Sequence, residues 1–177
     1  MNELKKKKHY GKYRGIVTQP VDSGTKGRVT ATVTIGGTPV PVVAEACTPF
    51  GGLGSGLYAI PPTGAGVWIE FEEGDLNKPI WTGSWWSDGE LLASMSTVAP
   101  LQALPVILQS VGRNHLVIGS TPADGIRIET AAGPAGPNIL INATGIIISD
   151  GKGGMITVTA GSVILGCTGF PSALIVK

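Results

Sequence analysis

The stretch Asn138–Leu165, NILINATGIIISDGKGGMITVTAGSVIL, decides the architecture of one half of this chain. Its apolar residues come in short alternating runs separated by Gly, Asn, Asp and Thr, the pattern of brief strands joined by tight turns. A shift of seventeen residues lays Ile139 on Ile156, Ile141 on Val158, Asn142 on Thr159, Ala143 on Ala160, Ile146 on Val163 and Ile148 on Leu165. A shorter echo, Leu116–Ile118 and Ile126–Ile128, precedes it. A β repeat of fixed period argues for a stacked or helical β architecture whose units bury their faces against neighbours.

The period-2 alternation puts Ile126, Ile128, Ile139, Ile141, Ile146, Ile148, Ile156, Val158, Val163 and Leu165 on one face. Full burial at ~1.5–3 kcal/mol each would stabilise the fold by roughly 15–30 kcal/mol as an upper bound. A ribbon of short strands has no helix to cover that face, and isolated two-stranded structure is marginal in water. Leu140, Ile147 and Ile164 point the other way and are apolar too. The expectation is that several copies of the ribbon wrap around one axis, with the ten residues as their shared core.

Working outward from the repeat, residues 106–177 form the β ribbon and 89–105 a linker that carries Ser94, Ser96, Thr97, Pro100 and Pro105. Within that segment Gly89–Met95 is a weak helical candidate. Between 12 and 88 the chain holds strand candidates at Tyr13–Thr18, Arg28–Ile35, Val42–Thr48, Val67–Phe71 and Pro79–Trp85. Val29, Ala31, Val33 and Ile35 oppose Thr30, Thr32 and Thr34, and Val67, Ile69 and Phe71 oppose Trp68, Glu70 and Glu72. Short strands with glycine-rich turns suit a small closed barrel, and the OB-fold is the commonest five-stranded solution. Residues 1–11 are a basic tail.

The totals agree with an all-β chain. Glycine at 27 and proline at 13 exceed a fifth of the 177 residues, too many for helices. Charged residues are 14%, well below the roughly 25% usual for soluble domains, which points to surface covered by other subunits. The net charge of +1 conceals an asymmetry, because Lys5, Lys6, Lys7, Lys8, Lys12 and Arg14 all lie in the first fourteen positions. Cys47 and Cys167 are far apart in sequence and imply no disulfide framework, so a reducing compartment is expected. The lysine run leads into His9, Tyr10 and Gly11 instead of an apolar stretch, so no signal peptide is read. No apolar run has the length of a membrane helix. The expected place of assembly is the cytoplasm.

Candidate chemistry is sparse. Glu70 and Glu72 share a strand face, with Glu73 and Asp75 nearby, but i, i+2 side chains stand ~7 Å apart, wider than the ~5–5.5 Å of a retaining glycosidase pair. The glycine-rich Gly51–Gly56 lacks a following helix to hold a phosphate. The segment from Gly145 to Gly151-Lys152 is one residue too long for a P-loop and has Gly153 in the Ser/Thr position. His9 and His115 have no partner at ligand spacing, so no metal or cofactor is expected within one chain. A three-fold axis supplying one residue per chain leaves His115 as the candidate there. No serine or cysteine has an evident base beyond those histidines. The reading is therefore not an enzyme.

The basic tail, with Tyr10 and Tyr13 interleaved, admits a nucleic-acid arm beside an OB-fold, and this is the alternative function. Against it, Lys26 and Arg28 precede a long stretch poor in cations, and carboxylates surround Trp68, Trp81, Trp85 and Trp86. Docking onto an acidic protein is the preferred role for the lysines. A small cell-wall hydrolase is the weaker alternative.

Tyr10–Val17, followed by Gly27-Arg28-Val29, and then Ile60-Pro61-Pro62, Gly64, Gly66–Glu72, Gly74-Asp75, Pro79-Ile80-Trp81 and Gly83, resemble the OB domain of phage baseplate assembly protein V and VgrG-type central spike proteins. The 106–177 ribbon is similar in pattern to the same family's intertwined three-chain β-helix or β-prism. The resemblance implies a homotrimer, a collar of three OB domains under a tail hub, and a stiff spike that pierces a cell envelope. It implies a place in a phage virion baseplate or at the tip of an injection particle. It also turns the lysine-rich end (Lys5, Lys6, Lys7, Lys8, Lys12) toward the hub. The family's lysozyme domain, its His-x-His iron tip and the VgrG hub module have no counterpart here. The apolar end Gly166–Pro171 suggests a separate PAAR-like tip protein.

Overall fold

The computed structural model describes residues 7–20, 26–90 and 104–167, and the backbone of 174–176. The expected linker and weak helix fall largely on 91–103, outside the described residues, as do Lys5 and Lys6. The chain divides into two compact units, Met1–Leu91 and Leu92–Lys177.

The first unit is built on a closed five-stranded barrel. Its strands are β1 (Tyr13–Gln19), β2 (Val29–Ile35), β3 (Thr38–Ala46), β6 (Gly66–Phe71) and β7 (Pro79–Trp85), and a small hairpin of β4 (Gly51–Gly52) and β5 (Ser55–Gly56) lies between β3 and β6. Around the barrel the order is β1-β2-β3-β7-β6, with only the β3–β7 pairing parallel. Alternation sends Val29, Ala31 and Val33 of β2 and Val67, Ile69 and Phe71 of β6 into one core with Val17, Val42, Ala44 and Trp81. Gly15 of β1 also faces this core, where a Cβ would stand 3.1 Å from Ile69 Cγ1. A side chain there would require Ile69 to give by a few tenths of an ångström.

β3 starts at Thr38, four residues before the expected Val42, because Gly36 (φ +59°) and Gly37 (φ +85°) make a two-residue hairpin turn that pairs Ile35 with Thr38. Pro39 and Pro41 do not interrupt the strand. Pairing with β2 runs through both without a register shift, and β7 meets β3 only at Glu45 and Ala46. The missing N–H groups therefore fall on an open edge, where proline is tolerated.

The second unit is an eight-stranded sheet in simple meander order. It comprises β8 (Val106–Gln109), β9 (His115–Ile118), β10 (Ile126–Glu129), β11 (Asn138–Asn142), β12 (Gly145–Ser149), β13 (Gly154–Thr159), β14 (Ser162–Cys167) and β15 (Leu174–Val176), each antiparallel to the next. The seventeen-residue repeat is a β-hairpin: β11–β12 maps onto β13–β14, with Ile139 opposite Ile148 and Ile156 opposite Leu165. The β13–β14 turn places Ala160 (φ +46°) and Gly161 (φ +75°) in the left-handed region that matches strand twist. At the β12–β13 turn, Asp150 Oδ1 accepts from the N–H of Lys152 at 2.7 Å and of Gly154 at 2.9 Å. The Lys152 N–H, helped by those of Gly154 and Gly153, holds this exposed carboxyl below its ordinary range. The Gly151–Gly153 segment is thus a side-chain-closed turn.

Candidate assembly surface

The meander lines up one residue from each strand across the sheet, so each face consists of rows. One face carries two such rows. The first runs Val106, Ile118, Ile126, Ile141, Ile146, Val158, Val163, and the second Leu108, Leu116, Ile128, Ile139, Ile148, Ile156, Leu165. Every position in both rows is Val, Leu or Ile. The ten residues predicted from the alternation all lie here. Val106, Leu108, Leu116 and Ile118 extend the face and were not among them.

Within one chain this face is open. Ile128 is 53% exposed, Leu108 66%, and ten other members lie between 37% and 58%. About half of the ~1.5–3 kcal/mol available from burying each side chain is thus unrealised. Over those twelve residues this is on the order of 10 kcal/mol per protomer, before the cost of bringing chains together. An exposed aliphatic surface of this extent is characteristic of association.

The opposite face differs in chemistry and exposure. Its rows place Ile107, Val117, Arg127, Leu140, Ile147, Thr157 and Ile164 beside Gln109, His115, Glu129, Asn138, Ser149 and Met155. Val117 is fully buried, and Ile107, Leu140, Ile147 and Ile164 are shielded in part within the chain. This face has less apolar area to gain from a partner and more polar groups to lose to one.

A buried polar cluster sits on that second face. His115 Nε2 lies 2.8 Å from Glu129 Oε2, with side chains only 7% and 3% exposed. His115 Nδ1 lies 2.7 Å from the Arg113 carbonyl oxygen, and Arg127 Nε is 3.5 Å from Glu129 Oε1. A carbonyl oxygen only accepts, so Nδ1 carries a proton. Nε2 then donates to the carboxylate as imidazolium or accepts from a protonated Glu129. Both ring nitrogens are occupied, and the ring stands on the face opposite the aliphatic rows. This geometry does not present His115 as a ligand on an axis lined by those rows. Among the described residues no three His, Cys, Asp or Glu side chains come together as a metal site.

The other candidates are dispersed. Glu70 pairs with Lys12 Nζ at 2.7 Å and Glu72 with Lys78 Nζ at 3.5 Å, all four side chains being 41–56% exposed. β6 ends at Phe71, so Glu72 begins a single 3-10 turn (Glu72–Gly74) and does not share the strand face with Glu70 as expected. Such exposed pairs contribute about 0–1 kcal/mol. Lys12 also donates to Thr82 Oγ1 at 3.0 Å, so its ammonium is held on the barrel, whereas Lys7 and Lys8 are exposed.

Two tryptophan faces are occupied as well. The Arg14 guanidinium stacks 5.2 Å from the Trp68 ring centroid and 4.7 Å from that of Trp85. Gly66 allows Trp85 to lie against β6, since a Cβ there would meet the indole at 2.5 Å. Trp81 is buried and donates from Nε1 to the Gly27 carbonyl at 3.0 Å. Trp86 alone of the four tryptophans is largely exposed, at 64%. Trp68, Trp81 and Trp85 thus serve the barrel and do not form a row of open stacking faces of the kind single strands use. Gly51–Gly56 forms the β4–β5 hairpin with no helix behind it. No described helix is long and apolar enough to cross a membrane.

Two family models match the chain. Residues 13–86 match the type VI secretion system/phage-baseplate injector OB domain, and residues 105–166 match the phage baseplate V C-terminal trimerisation domain. No curated protein matches it.

Proposed function

Because the chain belongs to the phage baseplate V family, with an OB barrel and a trimerisation domain that give it a structural role in a baseplate as a homotrimer, we propose that it is the central spike of a phage tail or contractile injection machine. Three copies bury the double aliphatic row against one another around a common axis. The resulting stalk closes the tail tube below the hub and transmits the sheath's push to the target envelope. The observation that carries this reading is the uninterrupted Val/Leu/Ile face of the eight-stranded sheet, half exposed in a single chain.

The role is mechanical and not enzymatic. A stalk needs registered backbone hydrogen bonds and a shared apolar core, and the double row supplies the second. The dispersal of Glu70 and Glu72 into separate surface ion pairs supports this reading over a hydrolase. The Arg14 stacking on Trp68 and Trp85 and the burial of Trp81 favour it over a nucleic-acid binder. Assembly takes place in the cytoplasm, before incorporation into the particle. Boundaries of 12–88 for the barrel and 106–177 for the stalk, joined by a linker at 89–105, serve this division of labour. A separate tip protein of the PAAR type caps the apolar C-terminal end.

The basic tail, Lys5 to Lys8, is an assembly handle for an acidic face of the hub, with Lys12 tethered to Glu70 at its root. Deleting residues 1–9 is expected to leave the trimer intact and to reduce the amount of protein in hub-containing baseplates several-fold, read by quantitative immunoblot of purified particles. Exposed lysines also attract a phosphate backbone, with the steep log–log salt dependence of counterion release. Tight binding of single-stranded DNA through the tail at near-physiological salt, with incorporation unchanged by the deletion, would favour the nucleic-acid reading instead.

A further inference from the structure

Between β3 and β6, Ile60 and Ala65 pack against the barrel core, but the Phe50–Tyr58 part of the segment does not belong to it, and its surface chemistry is unusual. Residues 46–69 carry no charged side chain. Within them Phe50, Leu53, Leu57 and Tyr58 are 61%, 106%, 53% and 80% exposed, with Leu53 at the tip of the β4–β5 hairpin. The hairpin is held in shape by its own hydrogen bonds. The Thr48 hydroxyl reaches the carbonyl oxygens of Phe50 and Leu57, each at 3.1 Å, and the Leu57 N–H donates to Phe50 O at 3.3 Å. A preorganised apolar knob loses little entropy on docking.

Beside the knob lies a cleft of about 630 Å³ between the hairpin and the barrel, lined by Phe50, Leu57, Tyr58, Ile60 and Trp81, with Lys26 its sole charged lining residue. Phe50, Leu57 and Tyr58 form its wall, whereas Leu53, between Gly52 and Gly54, does not line it, so the Leu53 side chain at the tip and the cleft are separate features of one unit. Rotational closure of a three-membered ring requires this kind of heterologous pair, in which one patch of each protomer meets a different patch of the next. The trimerisation domain keeps two other copies of the barrel at high effective concentration, so even a weak contact of matching chemistry is populated.

We infer that the Phe50–Tyr58 hairpin is an interprotomer latch: Leu53 of each barrel seats in the apolar cleft of the next, closing the three barrels head to tail. The latch rests on the trimer proposed above. The occupant is a second copy of this chain, because the apolar Leu53 tip and the largely apolar cleft match each other better than either matches the acidic face that the lysine tail fits.

The test uses the full chain with Leu53 replaced by the photo-crosslinking amino acid p-benzoylphenylalanine. Leu53 is fully exposed, so the replacement leaves the barrel core untouched. Irradiation of the trimer is expected to yield covalent dimers and trimers at a concentration-independent yield, with the linked peptides containing Cys47–Phe50, Ile60 or Trp81–Gly83. The same amino acid at Thr34, exposed on β2, is the control. A trimer that gives only monomer bands from position 53, no more interchain product than position 34, or links mapping elsewhere would overturn the latch alone. A chain that is monomeric before irradiation would contradict the proposed function itself.

Discussion

Replacing Ile141 or Val158 by Asp is expected to abolish trimer formation. Both residues belong to the first aliphatic row, in which Ile141 pairs with Ile146 and Ile146 with Val158. They are 44% and 39% exposed in one chain, so a carboxylate at either position is solvated in the monomer and tolerated there. In the trimer three such carboxylates are brought together in a shared apolar core without partners, a penalty of several kcal/mol for each buried charge. Sedimentation at micromolar concentration is expected to show monomer for both variants. Val111→Asp is the control, the same kind of change at an 80% exposed turn position, and is expected to remain a trimer. Trimers from all three variants would mean that the aliphatic rows are not the interface.

The second large effect is expected on the opposite face. Glu129→Ala removes the carboxylate that faces His115 Nε2 and Arg127 Nε, leaving one or two buried cationic groups without a counter-charge. Breaking a buried pair in this way costs about 3–5 kcal/mol. The melting midpoint at fixed protein concentration is therefore expected to fall by ~10 °C or more. Glu129→Gln keeps an accepting oxygen at the same place and is expected to cost less. Equal midpoints for Glu129→Ala and the unmodified protein would show that the cluster contributes nothing net to the sheet.

The aliphatic face was legible in the sequence because alternation is a local signal. Ile126 through Leu165 alternate within strands of four to six residues, and the seventeen-residue hairpin repeat confirms the register by itself. Val106, Leu108, Leu116 and Ile118 are harder to see: β8 (VILQ) and β9 (HLVI) each hold three apolar residues in a row, whereas β10 (IRIE) alternates. The parity shared by Val106 with Leu108 and by Leu116 with Ile118 was the signal available. The His115–Glu129 contact was not legible at all. The two lie fourteen residues apart, and only the β9–β10 pairing across the intervening loop makes them neighbours.

In the barrel, the β2 and β6 core residues followed from alternation, whereas two features did not. Pro39 and Pro41 obscured the start of β3, since proline counts against a strand unless its edge is open, and the edge is a property of the sheet. The stacking of Arg14 on Trp68 and Trp85 depends on β1 lying beside β6 and β6 beside β7, so aromatic content alone could not distinguish packed indoles from a binding platform.

The central claim is that three chains share the aliphatic face, and the mass of the full chain in solution tests it most directly. Sedimentation equilibrium or light scattering across a hundredfold concentration range is predicted to give one species of about three times 18.1 kDa. A stable species of 18.1 kDa, with the double row left open to water, would contradict the account.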